Sequence, residues 1–133
     1  MDDLIDTNFL IGRWRRGSAG PEQTFIENNL EAAIGLPWVV KAEFLRGAVL
    51  AGHPHRQVSA FLDHVPVVWP DEETLQIYAG TYAILHRSSQ LIGPQDLWIA
   101  SRALRLALPV VTSNAAEFRR IPDLEEQHYL SSP

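Results

Sequence analysis

The stretch DLIDTNFLIG, residues 3–12, decides the fold. Leu4 and Ile5 are apolar, Asp6, Thr7 and Asn8 are polar, and Phe9, Leu10 and Ile11 are apolar again. This reads as a short buried strand over residues 2–6 that turns at once into a helix, with Thr7 or Asn8 as its cap. Asp6 then stands at the carboxyl end of a strand. Locally it fits an ordinary helix cap. In a parallel sheet it also stands where sites form.

Outward from that stretch, the first helix runs to about Arg16 and is broken by Gly17-Ser18-Ala19-Gly20-Pro21. Residues 22–34 carry a helical pattern through Phe25, Ile26, Leu30, Ala33 and Ile34, and Gly35-Leu36-Pro37 interrupts it. Helices are expected over Trp38 to Ala51, residues 54–63, Pro70-Asp71 to about Arg87, and Gly93-Pro94 to about Ala107. Pro94 suits a first helical position, where the missing N–H would be unpaired anyway. Val65 to Trp69 and Pro109 to Thr112 read as strands, Asn114 to Phe118 as one or two helical turns, and the remainder as a tail or edge strand. Short buried strands separated by helices imply an α/β fold: a central parallel sheet between helical layers. The 133 residues, with no repeat or linker, fit one domain spanning 1–133.

Composition excludes several chemistries. The chain has no cysteine, so disulfides, thiolate metal sites and a cysteine nucleophile are ruled out, which suits a reducing cytoplasm. The acidic start Met1-Asp2-Asp3 does not read as a secretory signal. No apolar run approaches the roughly 20 residues of a membrane span, so no membrane role is expected. The net charge of −5 argues against a broad nucleic-acid surface. Positive charge is nearly all arginine, however, because Lys41 is the only lysine. Arg13, Arg15 and Arg16 flank Trp14 and are candidate phosphate contacts, since arginine binds phosphate bidentately. The plainer reading of such a cluster is a solvated face.

Three acids stand in apolar company. Asp6 ends the first strand. Glu43 shares a helical stripe with Val39, Val40, Gly47 and Leu50, although the helix could instead be buried through Phe44, Ala48 and Ala51. Asp96 shares a stripe with Ile99, Ala100, Ala103 and Ala107, although an acid at the third helical position also favours the helix dipole. Asn114 and Glu117 follow the last strand, where turn residues are common. Like charges brought together repel unless a cation neutralises them. An all-oxygen set without cysteine or a histidine motif points to Mg²⁺ or Mn²⁺ rather than zinc. The five histidines read as structural or solvated.

Four segments together resemble a known family: LIDTNFLI, the AEF of the Glu43 helix, IGPQDLWIASRAL, and PVVTSNAAEFRRIPDL. In order and spacing they resemble the PIN domain, and more narrowly the VapC-type toxins of bacterial toxin–antitoxin pairs. The resemblance covers nearly the whole chain. It implies a PIN-domain-like three-layer sandwich with about five parallel strands, and a Mg²⁺- or Mn²⁺-dependent endoribonuclease that acts as a homodimer and is blocked by a cognate antitoxin. By position it carries metal-site acids over to Asp6, Glu43 and Asp96, a fourth site residue to Asn114 with Glu117 close behind, and the polar strand-end residue to Thr112. Asp6 and Asp96 would then hold the ion, and Glu43 would complete the set and orient a water. Thr7 and Asn8 would support Asp6 by taking over the cap. Many PIN domains have aspartate where Asn114 stands, so the pocket here carries one charge fewer. Trp98 and Ser101 replace small or aliphatic residues, with an expected effect on groove shape.

Other acid-bearing α/β folds fail. A response-regulator receiver needs a lysine after a late strand, and Lys41 is early. An aspartyl phosphatase usually has a second aspartate two residues after the first, where Asn8 stands. The remaining alternatives are a non-catalytic PIN-like binding module and a PIN nuclease acting on another nucleic acid outside a toxin–antitoxin system.

Overall fold

The computed structural model describes residues 1–130. The chain runs β1 (Asp3–Ile5), α1 (Thr7–Arg16), a 3-10 turn (Gly17–Ala19), α2 (Pro21–Asn28), β2 (Ile34–Pro37), α3 (Trp38–Leu50) and α4 (His55–Leu62). It continues through β3 (Val67–Val68), α5 (Glu72–Arg87), α6 (Pro94–Leu106), β4 (Val110–Thr112), α7 (Ala115–Phe118) and β5 (Glu126–His128). The five strands form one wholly parallel sheet in the order β3-β2-β1-β4-β5, flanked by helices.

Leu4, Ile5, Val110 and Val111 are consecutive and buried in pairs, so both faces of the central strands are covered. From β1 the chain builds outward through β2 to β3. It then crosses through α5 and α6 to place β4 on the other side of β1. The strand order therefore reverses between β1 and β4, and a crevice opens at their carboxyl ends. Ile5 pairs with Val111. The next rung holds Asp6 and Thr112.

The helix expected over residues 22–34 ends at Asn28, and Ile34–Pro37 is a strand rather than a break. Glycine and proline ordinarily argue against a strand. Here a Cβ on Gly35 would lie 2.3 Å from the Met1 sulfur and 2.9 Å from Val68, so the glycine admits close neighbours. Pro37 is the last strand residue, where no further ladder N–H is required. The strand expected over 65–69 pairs only at Val67 and Val68, and the C-terminal part supplies the edge strand β5.

Trp98 does not shape the crevice between β1 and β4. Its ring stacks on Tyr78 of α5 at 3.7 Å between centroids and meets Trp38 edge-on. Ser101 is buried and donates to the Leu97 carbonyl. Both secure α6 against its neighbours, correcting their expected effect on the groove.

Candidate active site

A cavity of about 280 Å³ at the reversal of strand order is lined by Asp6, Thr7, Asn8, Ile11, Glu43, Gly93, Gln95, Asp96 and Asn114. Each acid arrives by a different route. Asp6 follows β1 directly, Glu43 comes from the second turn of α3, and Asp96 from the first turn of α6.

Asp6 does two things. Its Oδ1 accepts the Phe9 N–H at 2.9 Å, which caps α1. Its Oδ2 accepts the Thr112 hydroxyl at 2.5 Å across the strand reversal. Asp6 is therefore the cap itself, correcting the assignment of that role to Thr7 or Asn8: a carboxylate has enough lone pairs for a cap, a cross-strand donor and a further ligand. Thr7 instead donates to Glu43 Oε1 at 3.0 Å, tying α1 to α3. Asn8 is exposed at the rim.

The stripe that carries Glu43 is only partly the core face of α3. The helix is buried through Val40, Phe44 and Ala48, whereas Leu50 is 81% exposed. Glu43 reaches the cavity from the edge of that buried face. For Asp96 the apolar stripe is the core face: Ile99, Ala100 and Ala103 are buried.

Asn114 donates its side-chain amide to Glu117 Oε2 at 2.7 Å, and its backbone N–H to the Thr112 hydroxyl oxygen at 2.8 Å. Glu117 in turn is the acid whose presence most perturbs Asp96. The two candidates for a fourth site residue are thus one unit, in which the neutral amide fixes the carboxylate that faces Asp96.

The acids repel one another. Burial, then the neighbouring Glu117 carboxyl and the charges of Asp6 and Glu43, push the Asp96 carboxyl up to about 7. Burial also raises Asp6, and the Glu43 charge adds to this, while the Thr112 and Phe9 donors oppose it. No lysine or arginine lines the cavity. Among the described residues no three candidate ligand groups stand close enough to cage an ion. Mg²⁺ typically uses only one or two carboxylates and keeps several waters. A hard, all-oxygen, unneutralised cavity fits such an ion.

A model of the PIN domain matches residues 4–124. The chain belongs to the PIN domain family. Its relatives place it in the VapC-type branch. Ribonuclease VapC1 of Haemophilus influenzae strain R2866 is 31% identical over 129 residues, 95% of this chain and 96% of the relative. Ribonuclease VapC of Rickettsia bellii is 29% identical over 131 residues, 94% of each. The VapBC-1 structure from nontypeable Haemophilus influenzae is similar with a TM-score of 0.83 and 26% identity, over 98% of this chain and 100% of that one. The DNA-bound VapBC structure from Salmonella typhimurium gives 0.86 and 25%, over 97% and 98%.

In this PIN domain the three candidate arginines part company. Arg16 is bidentate on Glu22, with Nε to Oε1 at 3.0 Å and Nη2 to Oε2 at 2.5 Å. Arg13 is half-buried and lies toward the turn at Gly17, with its charge also felt at Glu22. Arg15 is exposed beside the site. Sequence reasoning missed Gln95 and Gly93 in the cavity wall. The signal available for both was the GPQD helix start, read only for Pro94 and Asp96. It also missed Tyr129, which packs edge-on against Phe9 behind the Asp6 cap.

Proposed function

We propose that this protein is an endoribonuclease dependent on Mg²⁺ or Mn²⁺. It acts in the cytoplasm as the toxin of a toxin–antitoxin pair, as a homodimer, and is held inactive by its antitoxin. The observation that carries the reading is the unneutralised set Asp6, Glu43, Asp96 and Glu117 converging at the reversal of strand order. The names of the VapC relatives and the VapBC titles of the structural neighbours support the ribonuclease and the partner.

When bound, the ion would neutralise phosphate charge and acidify a water. Asp6 and Asp96 would hold it. Asp6 is pre-set for this by the Phe9 N–H and the Thr112 hydroxyl, which lock both oxygens in place. Glu43 orients the attacking water and takes its proton. Thr7 occupies Oε1 and leaves Oε2 for that contact. Asn114 keeps Glu117 against Asp96.

The test is cleavage of single-stranded RNA in Mg²⁺ and in Mn²⁺ by wild type, Asp6→Asn and Asp96→Asn. Both variants are expected to lose at least about 100-fold in rate, on the scale of other site-residue losses, with unchanged circular dichroism. Undiminished cleavage by both variants overturns this mechanism. Absence of wild-type cleavage, together with harmless expression in a growing bacterium, would favour the non-catalytic binding module.

A further inference from the structure

The acid cavity cannot hold its substrate alone, because none of its lining residues is a cation. A bound ion would serve the phosphate being cut. The neighbouring phosphates must find positive charge elsewhere, and only some arginines are available.

Two further grooves adjoin the cavity along α1. One, about 470 Å³, is lined by Asn8, Gly12, Arg15, Arg16, Ser113 and Tyr129 among others. The second, about 360 Å³, is largely apolar, with Trp14, Phe44 and Ala48 in its wall and Glu43 where it meets the acids. Ile11 lines all three spaces, and Arg15 lines both flanking grooves. Asn8, Ile11 and Arg15 are spaced three and four residues apart, so they form one edge of the helix. That edge runs from the acid cavity outward for about 10 Å at 1.5 Å per residue. Helical side chains lean toward the N-terminus, here the end that carries Asp6. The Arg15 side chain thus leaves the backbone tilted toward that end, and a long arginine can reach along the edge from the two grooves it lines.

The neighbouring arginines are not equivalent. Arg16 spends its guanidinium on Glu22, which is fully buried. Arg15 makes no ion pair and no side-chain hydrogen bond among the described residues. It is the one arginine or lysine that lines the apolar groove.

The geometry points to Arg15 as the positioning residue that grips the substrate phosphate next to the scissile one, so that the RNA strand crosses the Asn8–Ile11–Arg15 edge of α1. Arg16, one residue on, is a structural cation. This assignment rests on the nuclease reading for its substrate, but its test does not require cleavage.

The Asp96→Asn background keeps any bound RNA intact. On it, the affinity for a fluorescent single-stranded oligoribonucleotide is measured against KCl concentration for Arg15→Gln, Arg15→Lys and Arg105→Gln. Arg105 pairs with Asp71 and Glu73 at the far end of α6 from Asp96 and controls for bulk charge. Arg15→Gln is expected to bind about 10-fold more weakly, the scale of one charge-assisted contact. It should also lower the log–log salt slope by about 0.7, the value for one phosphate contact to a single strand. Arg15→Lys should recover the slope with part of the affinity, and Arg105→Gln should match its parent. Unchanged affinity and slope in Arg15→Gln, or an equal loss in Arg105→Gln, overturns the assignment. If the wild type fails to cleave while Arg15→Gln still loses affinity and slope, the nuclease reading fails and the Arg15 contact stands.

Discussion

Two acid sites lie against neighbouring faces of α1, and they solve the same problem differently. Glu22 is fully buried with Arg16 on both its oxygens. Burial alone would raise its pKa, but the guanidinium outweighs this and holds the carboxyl below its ordinary value. The packing is tight: a Cβ on Gly12 or Gly20 would meet the Arg16 or Glu22 side chain at 2.2–2.7 Å. The Asp96 site has no cation from the chain, and its carboxyl is pushed up to about 7. The first acid is completed by the fold and carries structure. The second is left without a partner cation from the chain, and in the proposed function an ion would supply one.

The largest expected break in that comparison is catalytic. Asp96→Asn should lose at least about 100-fold in RNA cleavage while melting no lower than wild type at pH 8, because it relieves like-charge repulsion. A lower melting temperature at pH 8 would mean that Asp96 is structural, like Glu22. The converse variant, Glu22→Gln, should cost about 2–3 kcal/mol in urea unfolding. That is somewhat below the cost of halving a fully buried pair, because Arg16 stays half-exposed. Cleavage per folded molecule should remain within a few-fold, and a 100-fold loss would show that the two sites are not separable.

The pH dependence has opposite signs at the two sites. With a raised folded-state pKa, the Asp96 contribution is fully present below the unfolded value near 4 and is lost as pH rises through about 7. Glu22, with a lowered value, contributes above its unfolded value near 4.5 and loses this as pH falls through the folded one. Without divalent ions the melting temperature should therefore fall between pH 5 and pH 8, and less so in Asp96→Asn. Added Mg²⁺ should raise it at pH 8 more in the wild type than in that variant. Equal shifts on adding Mg²⁺ would remove the case for ion binding at Asp96.

The smallest expected effect sharpens the site itself. Thr7→Val removes the donor to Glu43 Oε1. Cleavage should drop about 5- to 10-fold, on the scale of one hydrogen bond, with unfolding free energy nearly unchanged. No drop would mean that Glu43 does not need to be held.

Asp6 and Asp96 were legible because their neighbours along the chain are the core itself: Leu4 and Ile5 before one, Ile99 and Ala100 after the other. Glu43 was reached through an unsound step. Its apolar stripe includes exposed Leu50, and its place in the cavity depends on how α3 packs on α1, which no local pattern records. The strand Ile34–Pro37 was hidden because its glycine and proline answer to Met1 and Val68, distant in sequence. The buried pair of Arg16 and Glu22 was hidden for a related reason. Six residues separate the two across a turn, and nothing in either residue's own surroundings announces the other.

The shared duty of Asp6 has an evolutionary consequence. Asparagine caps helices about as well as aspartate, whereas alanine costs about 1 kcal/mol at a cap. On the proposed mechanism, a cell harmed by this protein would therefore find Asp6→Asn an easy escape: one substitution would disarm the chain, keep α1 capped and leave a folded body able to compete for the proposed partner. Disarmed descendants of this lineage should carry that change far more often than Asp6→Ala, and should persist as folded competitors of the active form.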